Sequence, residues 1–179
     1  MAPGEGCVCA AIVGALIVVS PDVGGVARAR ELAERIDADL AIVDKRRSAP
    51  GEVSQMTIIG EVTNRICLIV DDICDTAGTL VKAADLLLSR GAIEVHAYIT
   101  HGVLSGTAVE RITMSNIKSL VVTDSIEATE PVKQCSKIRS VATAPMLAQA
   151  MLNIAHGRSV SSLFDDETLG PIYEAFYPE

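Results

Sequence analysis

Short aliphatic runs alternate along this chain with segments whose apolar residues recur every three to four positions, and that alternation constrains the fold most. Residues 15–19 read as a strand, and Ser20-Pro21-Asp22-Val23-Gly24-Gly25 as a turn. A helix follows over 26–36, with Val26, Ala29, Ala33 and Ile36 on one face. Residues 40–43 read as a short strand, 44–54 as a charged loop carrying Pro50-Gly51, and 56–62 and 66–70 as strands. The spacing of Leu80, Ala83, Ala84, Leu87 and Leu88 predicts a helix over about 78–90, stopped by Gly91. Strands over 95–99 and 120–122 flank a short helix over 106–112, and a last helix over 146–156 ends at Gly157. Strands alternating with helices imply an α/β fold, a mainly parallel sheet with helices on both faces.

Composition supports that reading. Aromatics are only 3% and Trp is absent, so the core must be built from Ala, Val, Ile and Leu. A net charge of −8 argues against a duplex-binding surface, because neutralising phosphates takes a basic face. The last fifteen residues carry five acids (Asp165, Asp166, Glu167, Glu174 and Glu179) and no base, so the body before them is closer to balance. Phe164, Tyr173, Phe176 and Tyr177 also fall in or beside this segment. Residues 166–179 are therefore set apart as an acidic, aromatic tail. Five cysteines (Cys7, Cys9, Cys67, Cys74 and Cys135) show no disulfide-framework spacing, and no second cysteine pair completes a metal site with Cys7 and Cys9. A reducing, cytoplasmic setting is expected. Residues 7–19 form an apolar run with no Lys or Arg before it, too short to span a bilayer as a helix, and read as a buried strand rather than a secretory leader.

In sheets of this kind ligands bind in the loops at the carboxyl ends of strands. The most informative stretch is Ile66-Cys67-Leu68-Ile69-Val70-Asp71-Asp72-Ile73-Cys74-Asp75-Thr76-Ala77-Gly78-Thr79. An apolar strand runs into two adjacent acids, then a third, then a small hydroxyl- and glycine-containing turn that opens a helix. Thr76, Gly78 and Thr79 offer hydroxyls and unobstructed backbone N–H groups at the positive end of that helix, which suits a phosphate monoester. Asp71, Asp72 and Asp75 make sense facing sugar hydroxyls or a magnesium ion. One loop could grip both ends of a sugar phosphate. It is not a Walker loop, since no Gly-Lys-Ser/Thr stands at the required spacing.

Residues 70–79 resemble the 5-phosphoribosyl-1-pyrophosphate (PRPP) loop of type I phosphoribosyltransferase folds. Four further motifs occur in order around it: Val18-Val19-Ser20-Pro21-Asp22-Val23-Gly24-Gly25, Asp44-Lys45-Arg46-Arg47, Thr100-His101-Gly102-Val103-Leu104-Ser105-Gly106 and Ser159-Val160-Ser161-Ser162-Leu163-Phe164. Together they are similar to the C-terminal half of the ribose-phosphate pyrophosphokinase (PRPP synthetase) family, over residues 18–165. Residues 1–17, an N-terminal extension and the start of the first strand, do not match it.

That resemblance implies a Mg²⁺-dependent ribose-phosphate diphosphokinase, which moves the β,γ-diphosphoryl group of ATP to the C1 hydroxyl of ribose 5-phosphate and releases AMP. It implies that Arg47, Asp71, Asp72, Asp75, Thr76, Ala77, Gly78 and Thr79 bind ribose 5-phosphate and that Asp22 binds magnesium. Lys45 and Arg47 match the catalytic cations of the family's mobile loop. His101 is assigned no role, and the 159–164 stretch resembles a segment that in some members contributes to a regulatory phosphate or ADP site. Nothing here corresponds to the family's N-terminal, ATP-binding half. Homo-oligomers, or assembly with a full-length synthetase as a non-catalytic regulatory or assembly subunit, are the partners expected, and neither nucleic acid nor membrane is. A phosphoribosyltransferase consuming PRPP is a further alternative.

Overall fold

The computed structural model describes residues 15–46 and 55–176. The chain divides into two compact units, Met1–Ser140 and Val141–Glu179. The first is built on strands β1 (Leu16–Ser20), β2 (Asp39–Arg46), β3 (Gln55–Ile59), β4 (Ile66–Cys74), β5 (Glu94–Gly102) and β6 (Ser119–Thr123), with β7 (Ile138–Val141) at its end. These seven strands form one sheet in the order β3-β2-β1-β4-β5-β6-β7. Pairings of β1 with β2 and β4, of β4 with β5 and of β5 with β6 are parallel; β3 runs antiparallel to β2. The fold is α/β with a mostly parallel sheet, as the alternating pattern implies.

Among its described residues this unit holds helices α1 (Val26–Arg35), α2 (Gly78–Ser89), α3 (Ala108–Met114) and α4 (Glu130–Gln134). Period-two alternation sends Val18, Leu68 and Val70 to one face, where they bury against Ala29 and Ala33 of α1. Ile17, Val19, Cys67, Ile69, Val95, Ala97 and Leu120 point to the other face and pack under Leu80, Ala84 and Leu87 of α2 and Ile112 of α3. Each fully buried Leu or Ile of this kind is worth about 1.5–3 kcal/mol. Helices thus cover both faces, with small residues where α1 meets the sheet.

Several boundaries differ from the sequence reading; the strand read over 56–62, for one, ends at Ile59. Residues 44–46 extend β2 instead of starting a loop, because the antiparallel partner pairs Asp44 with Thr57, Lys45 with Met56 and Arg46 with Gln55. Residues 71–74 continue β4, because β5 runs on to Gly102 and pairs Ile73 with His101 and Cys74 with Gly102. The short helix begins at Ala108, after a turn in which Leu104 has φ 51° and Gly106 has φ 58°.

The second unit holds α5 (Ala144–Ala155), a 3₁₀ turn (Ser161–Phe164) and α6 (Asp166–Phe176). Asn153 is buried in it, accepting from Gln149 Nε2 at 2.9 Å and donating to the Ser159 carbonyl at 2.9 Å. Tyr173 O–H donates to the Ala142 carbonyl at 3.0 Å. The acidic segment set apart by composition is thus largely helical, although Pro171 lies inside it. No helix among the described residues is long and apolar enough to cross a membrane.

Candidate functional site

The carboxyl ends of β1 and β4 are neighbours in the sheet, so the turn after β1 and the turn after β4 face each other. Between them lies a cavity of about 240 Å³ lined by Pro21, Asp22, Asp71, Ile73, Cys74, Asp75, Thr76, Ala77, Gly78, Thr79, Leu80 and Ile99. It brings together Asp22, Asp71, Asp75, Thr76, Ala77, Gly78 and Thr79 of the candidate set. Asp72 does not line it. Period two turns its side chain to the opposite face of β4, where it is more than half exposed. The backbone of Lys45 lies at the end of β2, and Arg47 lies outside the described residues.

The turn after β1 is shaped by its own residues. Gly25 N–H donates to Asp22 Oδ1 at 2.8 Å, and the buried Ser20 O–H donates to the Asp22 carbonyl at 2.7 Å. A Cβ on Gly25 would sit 2.9 Å from Ser20 Oγ, so the turn closes this tightly only around glycine. The carboxylate of Asp22 is thereby held at the cavity wall and the start of α1.

The turn after β4 is strained where it enters α2. Ala77, the residue capping α2, has φ 59° and ψ 3°, a left-handed conformation that costs an L-residue roughly 1–2 kcal/mol. No side chain caps the helix. The opening N–H groups of α2 therefore face the cavity without a side-chain acceptor of their own, the arrangement that receives an anion at a helix N-terminus.

The motif at 100–106 lies directly behind this turn. Leu104 N–H donates to the Cys74 carbonyl and Ser105 N–H to the Asp75 carbonyl, each at 3.1 Å. Ser105 O–H donates to Asp75 Oδ1. One turn further on, Arg111 Nη1 donates to the Thr76 carbonyl at 2.8 Å. Gly102 lets β5 approach β6, since a Cβ there would lie 2.8 Å from Val122 Cγ1. His101 Nδ1 shares a 2.8 Å hydrogen bond with Ser125 Oγ.

Arg28, Ser105 and Arg111 are the residues that sequence reasoning missed. Arg28 on α1 spans the acid pair, with Nη1 3.1 Å from Asp71 Oδ1 and Nη2 2.8 Å from Asp72 Oδ2. A single guanidinium thus ties the helix after the Asp22 turn to the carboxyl end of β4. Burial pushes the Asp71 carboxyl up from its ordinary value, the charges of Asp72 and Asp22 add to that, and a backbone hydrogen bond at Asp72 opposes it. Asp72 moves the other way: its slight burial is outweighed by the Arg28 charge and a hydrogen bond with Asp71, so its carboxyl is held below the usual range.

The donor chemistry fits a hard divalent cation. Asp22 and Asp71 are carboxylates on one cavity wall, and Asp71 ionises against the charge of Asp22. Among the described residues no group of three or more His, Cys, Asp or Glu is arranged to hold a metal. A Mg²⁺ ion commonly uses only one or two carboxylates and completes its shell with water and substrate phosphate oxygens.

The strand order, the helices on both faces and the hydroxyl-and-glycine turn at the end of β4 define an α/β protein with a mostly parallel sheet and an anion-receiving turn at its carboxyl edge. A model of the phosphoribosyl synthetase-associated domain matches residues 47–165, and the chain belongs to that family. It is 67% identical over 162 residues to a ribose-phosphate pyrophosphokinase of Cereibacter sphaeroides (strain KD131 / KCTC 12085), covering 90% of this chain and 48% of that protein. It is 60% identical over 151 residues to a ribose-phosphate pyrophosphokinase of Caulobacter vibrioides (strain NA1000 / CB15N), covering 84% and 48%. The fold is similar to the crystal structure of phosphoribosylpyrophosphate synthetase from Mycobacterium smegmatis, with a TM-score of 0.73, 30% identity, and 85% of this chain and 49% of that one covered. The chain spans about half the length of the relatives it matches.

Proposed function

We propose that this chain supplies the ribose 5-phosphate side of a ribose-phosphate diphosphokinase reaction. The observation that carries the reading is the convergence in one cavity of Asp22, Asp71, Asp75 and the uncapped start of α2. The 5-phosphate would sit against the N–H groups and hydroxyls of residues 76–79, where the helix end favours negative charge. Asp71 and Asp75 would accept hydrogen bonds from the ribose hydroxyls. A ligand with a phosphate at one end and hydroxyls at the other suits a site with an uncapped helix N-terminus at one end and carboxylates at the other.

In the proposed reaction the C1 oxygen of ribose 5-phosphate bonds to the β-phosphorus of ATP. The bond from that phosphorus to the α,β-bridging oxygen breaks, AMP departs and the hydroxyl proton is released. Asp22, with Asp71, would hold Mg²⁺, which when bound offsets the charge of the diphosphoryl oxygens. Lys45 and Arg47 would bring the cations that the cavity lining lacks, stabilising charge on the transferred group. Contacts to ATP would come largely from the half of the relatives that this chain does not cover.

Mixing the chain with ribose 5-phosphate, ATP and Mg²⁺ and following AMP tests the catalytic part. AMP formation dependent on all three supports it. Absence of AMP, with ribose 5-phosphate still bound, would restrict the role to sugar-phosphate binding.

A further inference from the structure

The cavity poses an electrostatic problem for an anionic ligand. Its lining contains Asp22, Asp71 and Asp75 and, among the described residues, no Lys or Arg. Arg28 is engaged by the acid pair. The cation that touches the phosphate end is Arg111 on α3, whose Nη1 donates to the Thr76 carbonyl at 2.8 Å. The same Nη1 lies 3.9 Å from where a Cβ on Gly78 would be, so the guanidinium stands directly behind the opening turn of α2.

We propose that Arg111 is a positioning residue for the phosphate end of this cavity, acting through the Thr76–Ala77 peptide, an inference that rests on the ribose 5-phosphate reading above. The geometry gives it two effects. A charged donor on the Thr76 carbonyl fixes the peptide that leads into the left-handed Ala77, so the strained turn stays in the shape that presents the α2 N–H groups. It also polarises that peptide and places positive charge beside an otherwise acidic cavity. Ser105 and Leu104 hold the neighbouring carbonyls of Asp75 and Cys74 through backbone N–H groups, so three successive carbonyls are fixed by the segment after β5. Of these three contacts only that of Arg111 is made by a side chain and carries charge, so it can be altered without changing the backbone.

The test is calorimetric titration of the full chain with ribose 5-phosphate, with ribose as a competitor, on wild type, Arg111→Met and Arg111→Lys. Arg111→Met should weaken ribose 5-phosphate about tenfold or more, a hydrogen bond to a charged group being worth at least that, while ribose competition changes less than about twofold. Arg111→Lys keeps the charge without the planar fork and should fall between. Equal affinities in all three proteins would overturn the proposal, as would parallel losses for ribose and ribose 5-phosphate, which a general loosening of the site would give. Failure of the wild type itself to bind ribose 5-phosphate would instead overturn the reading beneath it, and this inference with it. Arg111→Lys, the milder change, keeps the comparison valid if Arg111→Met does not fold.

Discussion

Arg28 and Asp71, 43 residues apart in the chain, lie 3.1 Å from each other, and the same guanidinium reaches Asp72 at 2.8 Å. The contact sets Asp71 at the cavity wall while Asp72 is held on the opposite face of the strand. Arg28→Ala should therefore lower stability by about 1 kcal/mol, discounted because all three groups are partly exposed, and weaken ribose 5-phosphate as Asp71 loses its fixed rotamer. Urea denaturation and ligand titration on the same variant measure both. Unchanged affinity would mean that Asp71 is oriented by its own strand.

Gly102 marks where β5 presses on β6. Adding a methyl group there places it 2.8 Å from Val122 Cγ1, a buried β-branched side chain with little freedom to turn. Gly102→Ala should cost about 1–3 kcal/mol, read as a lower urea midpoint at unchanged slope. A midpoint equal to wild type would show that the strands can part at no cost.

Cys67 and Cys74 are buried thiols, and burial pushes both up to about 11. An unfolded thiol ionises near 8.5. Between those values the unfolded chain gives up protons that the folded chain keeps. Their contribution is thus intact below about pH 8.5 and is lost as pH rises toward 11. At pH 10.5 the loss should be on the order of 2 kcal/mol per thiol. Comparing denaturation at pH 8 and pH 10.5 for wild type and Cys67→Ala checks this. Wild type should lose more stability than the variant, and equal losses would contradict the assignment.

Lys45 and the cavity residues should separate kinetically if the proposed division of labour holds. Lys45→Ala should leave ribose 5-phosphate affinity within about twofold, since its proposed partner is the transferred diphosphoryl group rather than the sugar phosphate, and should abolish any AMP release. Loss of binding in this variant would place Lys45 in the ribose site instead.

Much of the fold is legible because period and punctuation are strong in this sequence. The helix over Leu80, Ala83, Ala84 and Leu87 buries those side chains, and Gly91, at φ 90°, ends it. The loop at 71–79 was legible as a motif, yet its acids belong to the strand, because pairing with His101 and Gly102 in β5 is a long-range fact that local composition does not carry. The same holds for 44–46, which are polar enough to read as loop and become strand only by pairing with β3. Helix α4 and strand β7 are not legible because Glu130–Gln134 buries a single side chain, Val132, and Ile138–Val141 carries two exposed polar residues between half-buried ends. Arg28 and Arg111 look like surface cations on amphipathic helices; only the tertiary fold brings one to Asp71 and the other to the Thr76 carbonyl.

The most direct measurement is calorimetric titration of ribose 5-phosphate into the wild-type chain and Asp75→Asn, with thermal unfolding of both. Asp75 lines the cavity and accepts the Ser105 hydroxyl proton through Oδ1, which keeps its carboxylate fixed. Saturable one-to-one binding in the wild type, about tenfold or more weaker in Asp75→Asn at a similar melting temperature, is the predicted result. Absence of binding in the wild type, or equal affinity in the two proteins, would contradict the account.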